Sequence, residues 1–172
     1  MYRVAAGCLM PALVLAGCGG ETVPGSTNPA GSVASTTSTS ATVMSKTAAG
    51  AEFQADVAPA NSAVSAFASK AQAWSSSTTD SQAEADAQPL IQAISTLQSK
   101  LAQLAQSYPP ASADLKAEVT AAASLHGDLL GLSSLNMLNA SSWEQTFERD
   151  AATLSAASKT VRADLGLPPP TN

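Results

Sequence analysis

DSQAEADAQPLIQAISTLQSKLAQLAQSY, residues 80–108, carries a clear helical pattern. Its apolar side chains recur in alternating steps of four and three residues: Ala83, Ala87, Leu90, Ile94, Leu97, Leu101, Leu104 and Tyr108. This spacing places them on one face of an α-helix. Ser81 and Glu84 have the spacing of a capping box at the start of this helix, and Pro109-Pro110 ends it. We therefore predict one long amphipathic helix here.

Three further segments show the same periodicity. They run from Phe53 to Trp74, from Leu115 to Leu132 and from Trp143 to Leu165. Pro59 lies inside the first segment and predicts either an early kink or a later helix start near Asn61. The predicted apolar stripe of the second of these segments consists of Leu115, Val119, Ala122, Leu125, Leu129 and Leu132.

The last helix has recognisable boundaries. Ser141 and Glu144 form a predicted capping box at its start, and Gly166 marks its end. Four amphipathic helices with short connections and no strand-like alternation predict an all-α fold, an antiparallel up-down four-helix bundle. We place the bundle at residues 51–167 and predict a disordered tail at residues 168–172.

The amino-terminal residues have a different character. Arg3 and the free amine form a short positive region, and residues 4–17 form an apolar run without charge. This run is shorter than the roughly 20 residues that span a bilayer as a helix. A short apolar run after a positive residue is typical of a secretory signal peptide. The run ends in Leu15-Ala16-Gly17-Cys18.

These four residues resemble the lipobox of bacterial lipoproteins, in which a branched apolar residue and two small residues precede a cysteine. The resemblance covers residues 1–18. It implies a cleaved signal peptide at residues 1–17 and a cut between Gly17 and Cys18. It also implies an S-diacylglyceryl group on the sulfur of Cys18 and an acyl chain such as palmitate on its new amine. Cys8 follows an apolar segment that is too short for this signal, so we expect it to be removed.

A linker is predicted after the modified cysteine. Residues 19–50 consist almost entirely of Gly, Ser, Thr, Ala and Pro, with Glu21 and Lys46 as their only charges. Such a segment buries too little apolar area to offset the entropy of ordering it. We predict that residues 18–50 form a flexible tether. Two or three acyl chains on Cys18 would anchor it stably to a membrane.

Composition excludes several function classes. The 172 residues include 8 Lys and Arg, 13 Asp and Glu and one histidine, which gives a net charge of −5. An acidic chain of this kind is unsuited to binding a nucleic-acid backbone. The residue three positions before His126 is Ala123, so the Glu-x-x-His pattern of di-iron bundles is absent. We expect no catalytic or metal site, and no cofactor except the covalent lipid on Cys18.

Four side chains are candidate contacts for a ligand or partner: His126, Trp74, Trp143 and Tyr108. His126 lies beside the apolar stripe, and one interpretation makes it a ligand, for instance to haem, with Tyr108 or Met137 nearby. The two tryptophans would either plug the core near helix ends or offer rings for stacking on a ligand. A histidine at the edge of the core, with its polar tip in water, is the competing interpretation of His126.

The expected function is that of an extracytoplasmic lipoprotein, anchored to the bacterial cell membrane within the cell envelope. Few Lys and abundant Ala, Ser and Thr make its composition similar to that of actinobacterial envelope lipoproteins. Its bundle would bind an envelope protein or a cell-wall component without catalysis. One alternative is a carrier that holds a hydrophobic ligand, lipid or haem, between the helices. Another is an enzyme that depends on His126 or Glu144.

Overall fold

The computed structural model of the chain describes residues 44–75, 77–134 and 140–169. The predicted signal peptide, the predicted acylation site Cys18 and most of the predicted linker lie outside these residues. The described helices are α1 (Lys46–Gln72), α2 (Asp80–Ser107), α3 (Ser112–Leu130) and α4 (Ala140–Leu165), with short 3-10 turns at Pro109–Ala111 and Gly131–Ser134.

The four helices form the predicted antiparallel up-down bundle. Met44 N donates to Ser107 O over 3.2 Å, which joins the start of α1 to the end of α2. Phe67 and Phe147 contact each other, which joins the end of α1 to the start of α4. The connection between α2 and α3 is only a few residues long, so α3 folds back along α2. Each helix packs on its neighbours in the chain, and α1 also contacts α4.

The bundle has two ends that differ in composition. The proximal end is the one at which residue 44 joins the bundle, and it contains the starts of α1 and α3 and the ends of α2 and α4. The distal end contains the ends of α1 and α3 and the starts of α2 and α4. At the proximal end Gly50 approaches Leu167 so closely that an added Cβ would lie 3.1 Å from Leu167 Cδ2. The missing side chain of Gly50 therefore permits close packing there.

The interior is filled by the predicted apolar stripes. Its largest fully buried side chains are Phe53, Phe67, Phe147, Leu90, Ile94, Leu97, Leu101, Leu104, Leu115, Leu125 and Leu129. Between them lie fully buried alanines such as Ala60 and Ala122, whose small side chains allow the helices to approach closely. In the described part of the chain, no helix has both the length and the apolar character needed to cross a membrane.

The beginning of α1 differs from the prediction. The helix starts at Lys46, before the predicted boundary at residue 51, and Ser45 caps it by accepting a 3.2 Å hydrogen bond from Ala48 N. The predicted start near Asn61 is wrong, because α1 continues through Pro59. Pro59 lies on the exposed side of α1. Its ring and its missing N–H therefore do not disturb the buried stripe.

The cap of α2 also differs from the prediction. Thr79 accepts a 3.3 Å hydrogen bond from Gln82 N, and Gln82 Oε1 accepts a 3.0 Å bond from Thr79 N. This reciprocal pair is a capping box. It lies two residues before the predicted pair of Ser81 and Glu84, because the helix begins at Asp80.

The predicted glycine stop of α4 is confirmed. Gly166 has a φ of 71°, in the left-handed region that favours glycine. Gly166 N donates to Ala163 O over 3.0 Å, and Leu167 N donates to Arg162 O over 2.8 Å. These two bonds form a Schellman motif. At its other end α4 begins at Ala140, one residue before the predicted cap Ser141.

Burial predicts which leucines hold the bundle together. Replacing the fully buried Leu101 by Ala should lower the free energy of unfolding by about 2–5 kcal/mol, because it leaves a cavity in the core. The matched control is Leu130→Ala, since Leu130 is 52% exposed; its effect should stay within about 0.5 kcal/mol. Denaturant titration of the full chain, followed by circular dichroism, measures both. Equal losses in the two variants would contradict the described packing.

Candidate functional site

Four aromatic side chains meet at the distal end of the bundle. Phe67 and Trp74 contact each other in a T-shaped arrangement with ring centroids 5.7 Å apart. Phe67 also approaches Phe147 at 6.3 Å, and Phe147 stacks on Trp143 at 5.1 Å. The structure therefore brings together the two tryptophans that the sequence identifies as candidates. They are linked through two buried phenylalanines.

Trp74 joins this cluster to a charged pair at the surface. Its indole Nε1 donates to Asp86 Oδ2 over 3.1 Å, and Lys70 Nζ lies 2.9 Å from Asp86 Oδ1. The hydrogen bonds from Lys70 and then from Trp74 lower the pKa of Asp86 below its ordinary value, against the opposing effect of burial. A cleft of about 340 Å³ opens beside these three side chains and is also lined by Thr78, Gln82 and Ala85.

Trp143 has a more enclosed position. Its indole Nε1 donates to Asp128 O over 2.7 Å, and Phe147 lies nearly parallel to its ring, at 20°. The side chain of Asp128 is half-buried near Asp150. Burial first, and then the charge of Asp150, raise the pKa of Asp128 to about 6. The hydrogen bond from Trp143 to Asp128 O connects the start of α4 to the end of α3.

His126 and Tyr108 are not brought together. His126 is half-buried on α3 and makes no hydrogen bond through its ring within the described residues. Tyr108 is buried at the proximal end, just after α2. The length of α3 up to His126 separates them by roughly 20 Å, at 1.5 Å per residue. Met137, the other suggested haem ligand, lies outside the described residues.

Glu118 is a buried acid that the sequence analysis did not identify. It lies fully buried on α3, and neither carboxyl oxygen has a hydrogen-bond partner among the described residues. Ser158 Oγ on α4 lies beside it but outside hydrogen-bonding geometry. Arg162 is also close, and its guanidinium donates to Pro168 O from Nε over 3.0 Å and from Nη2 over 2.6 Å.

Burial determines the charge state of Glu118. It raises the pKa of this carboxyl to about 8, although Ser158 and Arg162 both favour the charged form. The acid is therefore largely protonated at neutral pH. The sequence does contain a signal for it. Leu115, Glu118 and Ala122 are spaced by three and four residues, as expected for one face of a helix. The predicted stripe contained Val119 instead of Glu118, but the structure buries Glu118 and leaves Val119 half-buried.

Like-charged pairs occur at two other points of the contact between α3 and α4. Asp114 lies opposite Asp164, and Asp128 lies opposite Asp150, in the same antiparallel register. The hydrogen bond to Asp164 raises the pKa of Asp114, and burial adds to this effect. Protonation of Asp114 or Asp128 removes the repulsion between two negative charges at that point of the contact. Mild acidity should therefore stabilise this helix contact.

The geometry gives no support to a metal centre in the described part of the chain. Within residues 44–75, 77–134 and 140–169, no three His, Cys, Asp or Glu side chains are grouped as ligands of one ion would be. The chain matches no protein-family model, no curated protein and no solved structure. Two places stand out: the cleft beside Trp74 and the buried acid of α3.

Glu118 predicts that stability falls as the pH rises. The unfolded carboxyl releases its proton near pH 4.5 and the folded one near pH 8, so the folded state binds more protons between these values. The free energy of unfolding should therefore drop by about 3–4 kcal/mol from pH 5 to pH 8 through this group alone. Glu118→Gln should remove this part of the slope, because the amide stays uncharged. Denaturant titrations at several pH values measure it.

A matched control separates this effect from general charge changes. Glu84→Gln alters an exposed carboxylate on α2 and should leave the pH slope of stability as it is in the unaltered chain. If the unaltered chain is equally stable at pH 5 and pH 8, or if Glu118→Gln retains the full slope, then the buried acid does not titrate as described.

Proposed function

We propose that this chain is a lipoprotein anchored to a bacterial cell membrane through Cys18, and that its helical bundle is a non-enzymatic binding module of the cell envelope. The sequence Leu15-Ala16-Gly17-Cys18 carries the proposal. It follows a short apolar run and Arg3, and it fits the lipobox at every position. The acyl chains on Cys18 would hold the protein at the membrane surface without a spanning helix.

The position of the first helix supports display away from the membrane. Residues 19–43, which precede the described part of the chain, are rich in Gly, Ser and Thr. A chain of this length and composition has a root-mean-square reach of about 25–30 Å. The 28 residues of α2 add a bundle length of about 42 Å. In this arrangement the distal end is farthest from the attachment point, and it carries the aromatic cluster and the cleft.

The arrangement of polar groups favours binding over catalysis. His126 and Glu144, on which an enzyme would depend, lie on different helices, and His126 makes no hydrogen bond to an acid among the described residues. Glu144 is half-buried, and its pKa is raised by burial and then by the charge of Glu148. The carrier alternative needs open space between the helices. Large buried side chains such as Phe53 and Leu97 fill this region instead.

Replacing the proposed acylation site tests the anchor. Cys18→Ala should abolish acylation and release the protein from the membrane fraction, because no sulfur remains to accept the diacylglyceryl group. In bacteria grown with an alkyne-tagged fatty acid, the unaltered chain should be labelled and found with membranes. Mass spectrometry should also find its amino terminus at Cys18 with the added acyl mass.

Cys8→Ala is the matched control, since it changes the other cysteine of the chain. It should leave labelling, cleavage and membrane retention unchanged. The anchor proposal is wrong if Cys18→Ala remains labelled and membrane-bound. It is also wrong if the mature chain begins at a residue other than Cys18.

A further inference from the structure

We infer that the cleft beside Trp74, between the end of α1 and the start of α2, binds a neutral saccharide. This inference deepens the proposed binding function and rests on it for the location of the ligand at the cell envelope. The indole would pack against the apolar C–H face of a sugar ring. The surrounding polar side chains would bind the hydroxyl groups of the sugar.

The indole of Trp74 lines a cleft, whereas another aromatic ring is stacked on the indole of Trp143. Trp74 is half-buried and lines the cleft. Its ring neighbour Phe67 meets it at 80°, so no described aromatic ring stacks in parallel on Trp74. By contrast, Phe147 covers Trp143 in a stacked arrangement. Trp74 is thus the tryptophan that lines the cleft and has no described aromatic ring stacked in parallel on it.

The acceptor group of the cleft is held in place. Asp86 receives hydrogen bonds from Trp74 Nε1 and Lys70 Nζ, so both carboxylate oxygens are oriented by the fold. Each oxygen has two lone-pair directions, which leaves acceptor capacity for sugar hydroxyls. Lys70 has two further N–H groups beyond its bond to Asp86, and about half of its side chain is exposed.

Two neutral groups complete the lining with further donors. Gln82 Oε1 is occupied by Thr79 N in the capping box, while the Gln82 amide nitrogen makes no hydrogen bond within the described residues. Thr78 Oγ1 accepts a 2.9 Å bond from Ser75 N, which leaves its hydroxyl hydrogen as a donor. The helix cap and the turn thus fix both groups before a ligand arrives. Such preorganisation reduces the entropy lost on binding.

The charge balance of the cleft selects a neutral ligand. Lys70 and Asp86 neutralise each other at 2.9 Å, so an anion would meet the carboxylate and a cation would meet the ammonium group. The lining is also too polar for a lipid tail, whose burial would leave these groups without water. A polyhydroxylated ring with one apolar face satisfies both conditions.

The volume of the cleft limits the size of the ligand. A cleft of about 340 Å³ lies near the lower limit of ligand sites, which span roughly 300–1,000 Å³, and suits a single sugar unit.

Tryptophan fluorescence of the full chain, purified in mild detergent, tests the inference. Trp143→Phe leaves Trp74 as the only tryptophan and retains an aromatic ring against Phe147. This protein is titrated with methyl glycosides of neutral hexoses, N-acetylhexosamines and pentoses. We expect a saturable change in Trp74 fluorescence with at least one of them. Methyl glucuronide and inorganic phosphate, which are anions, should produce no saturable change.

Two variants in the same Trp143→Phe background locate the binding. Ala85→Gln places a longer side chain into the cleft from an exposed position of α2 and should weaken binding about tenfold or more. Ala117→Gln makes the same change at an exposed position of α3 and should leave affinity unchanged. Both positions are exposed, so both variants should unfold at the temperature of their parent.

The inference is overturned by any of three results. These are the absence of saturable binding for every neutral glycoside, binding of the anions alone, and binding that Ala85→Gln does not weaken. The assay contains no membrane. A failure here therefore leaves the result for Cys18 untouched, and loss of the anchor proposal would leave saccharide binding measurable.

Discussion

Leu90, Ile94 and Leu97 lie on the face of α2 that α1 and α3 cover, and none of them retains appreciable contact with water. Burying each such side chain contributes about 1.5–3 kcal/mol, and the stripe continues to Tyr108. Helix α4 packs on α3 and α1. It has no comparable contact with α2 within the described residues. The packing of α2 therefore sets the positions of α1 and α3, and α4 packs against these two helices. The cap, the cleft and the aromatic cluster all depend on this arrangement.

Close packing explains why the polar groups of the interior have unusual properties. Alanines such as Ala60, Ala87 and Ala122 are fully buried, and helices that approach this closely leave little room for water. A carboxyl group placed in such an interior is most stable without charge. Glu118 shows the consequence, since burial outweighs the favourable field of Arg162. Arg162 is meanwhile bonded to Pro168, the first residue of the predicted tail, and holds it against α4.

The sequence predicts those features that depend on local pattern. The stripe of α2 and the stop at Gly166 follow from periodicity and backbone sterics, and the structure confirms both. The local pattern does not predict that α1 continues through Pro59, because tertiary packing of α1 outweighs the local cost of a proline on its exposed side. Two overlapping capping patterns begin α2, and the pattern alone does not show which one forms.

Pairings between distant residues are what the sequence does not reveal. Glu118 lies at a position where the periodicity of α3 allows a buried residue. A charged residue at such a position suggests a solvent-exposed side chain, and only the packing of the neighbouring helix shows that it is buried. The bond from Trp74 to Asp86 joins residues twelve apart across a turn. Neither residue alone indicates a cleft. The sequence therefore identifies Trp74 as a candidate, whereas its polar surroundings emerge only from the antiparallel pairing of α1 and α2.

The two ends of the bundle are suited to different tasks. The proximal end receives the chain from the predicted anchor and contains Glu118, Arg162 and the close contact at Gly50, which are buried and structural. The distal end contains Trp74 beside an open cleft. If Cys18 is the anchor that we propose, a ligand site at the proximal end would lie near lipid headgroups, where a polymer of the envelope would have less access. In the proposed anchored arrangement, the length of the bundle, about 42 Å, would place the Trp74 cleft clear of the membrane surface even on a short tether.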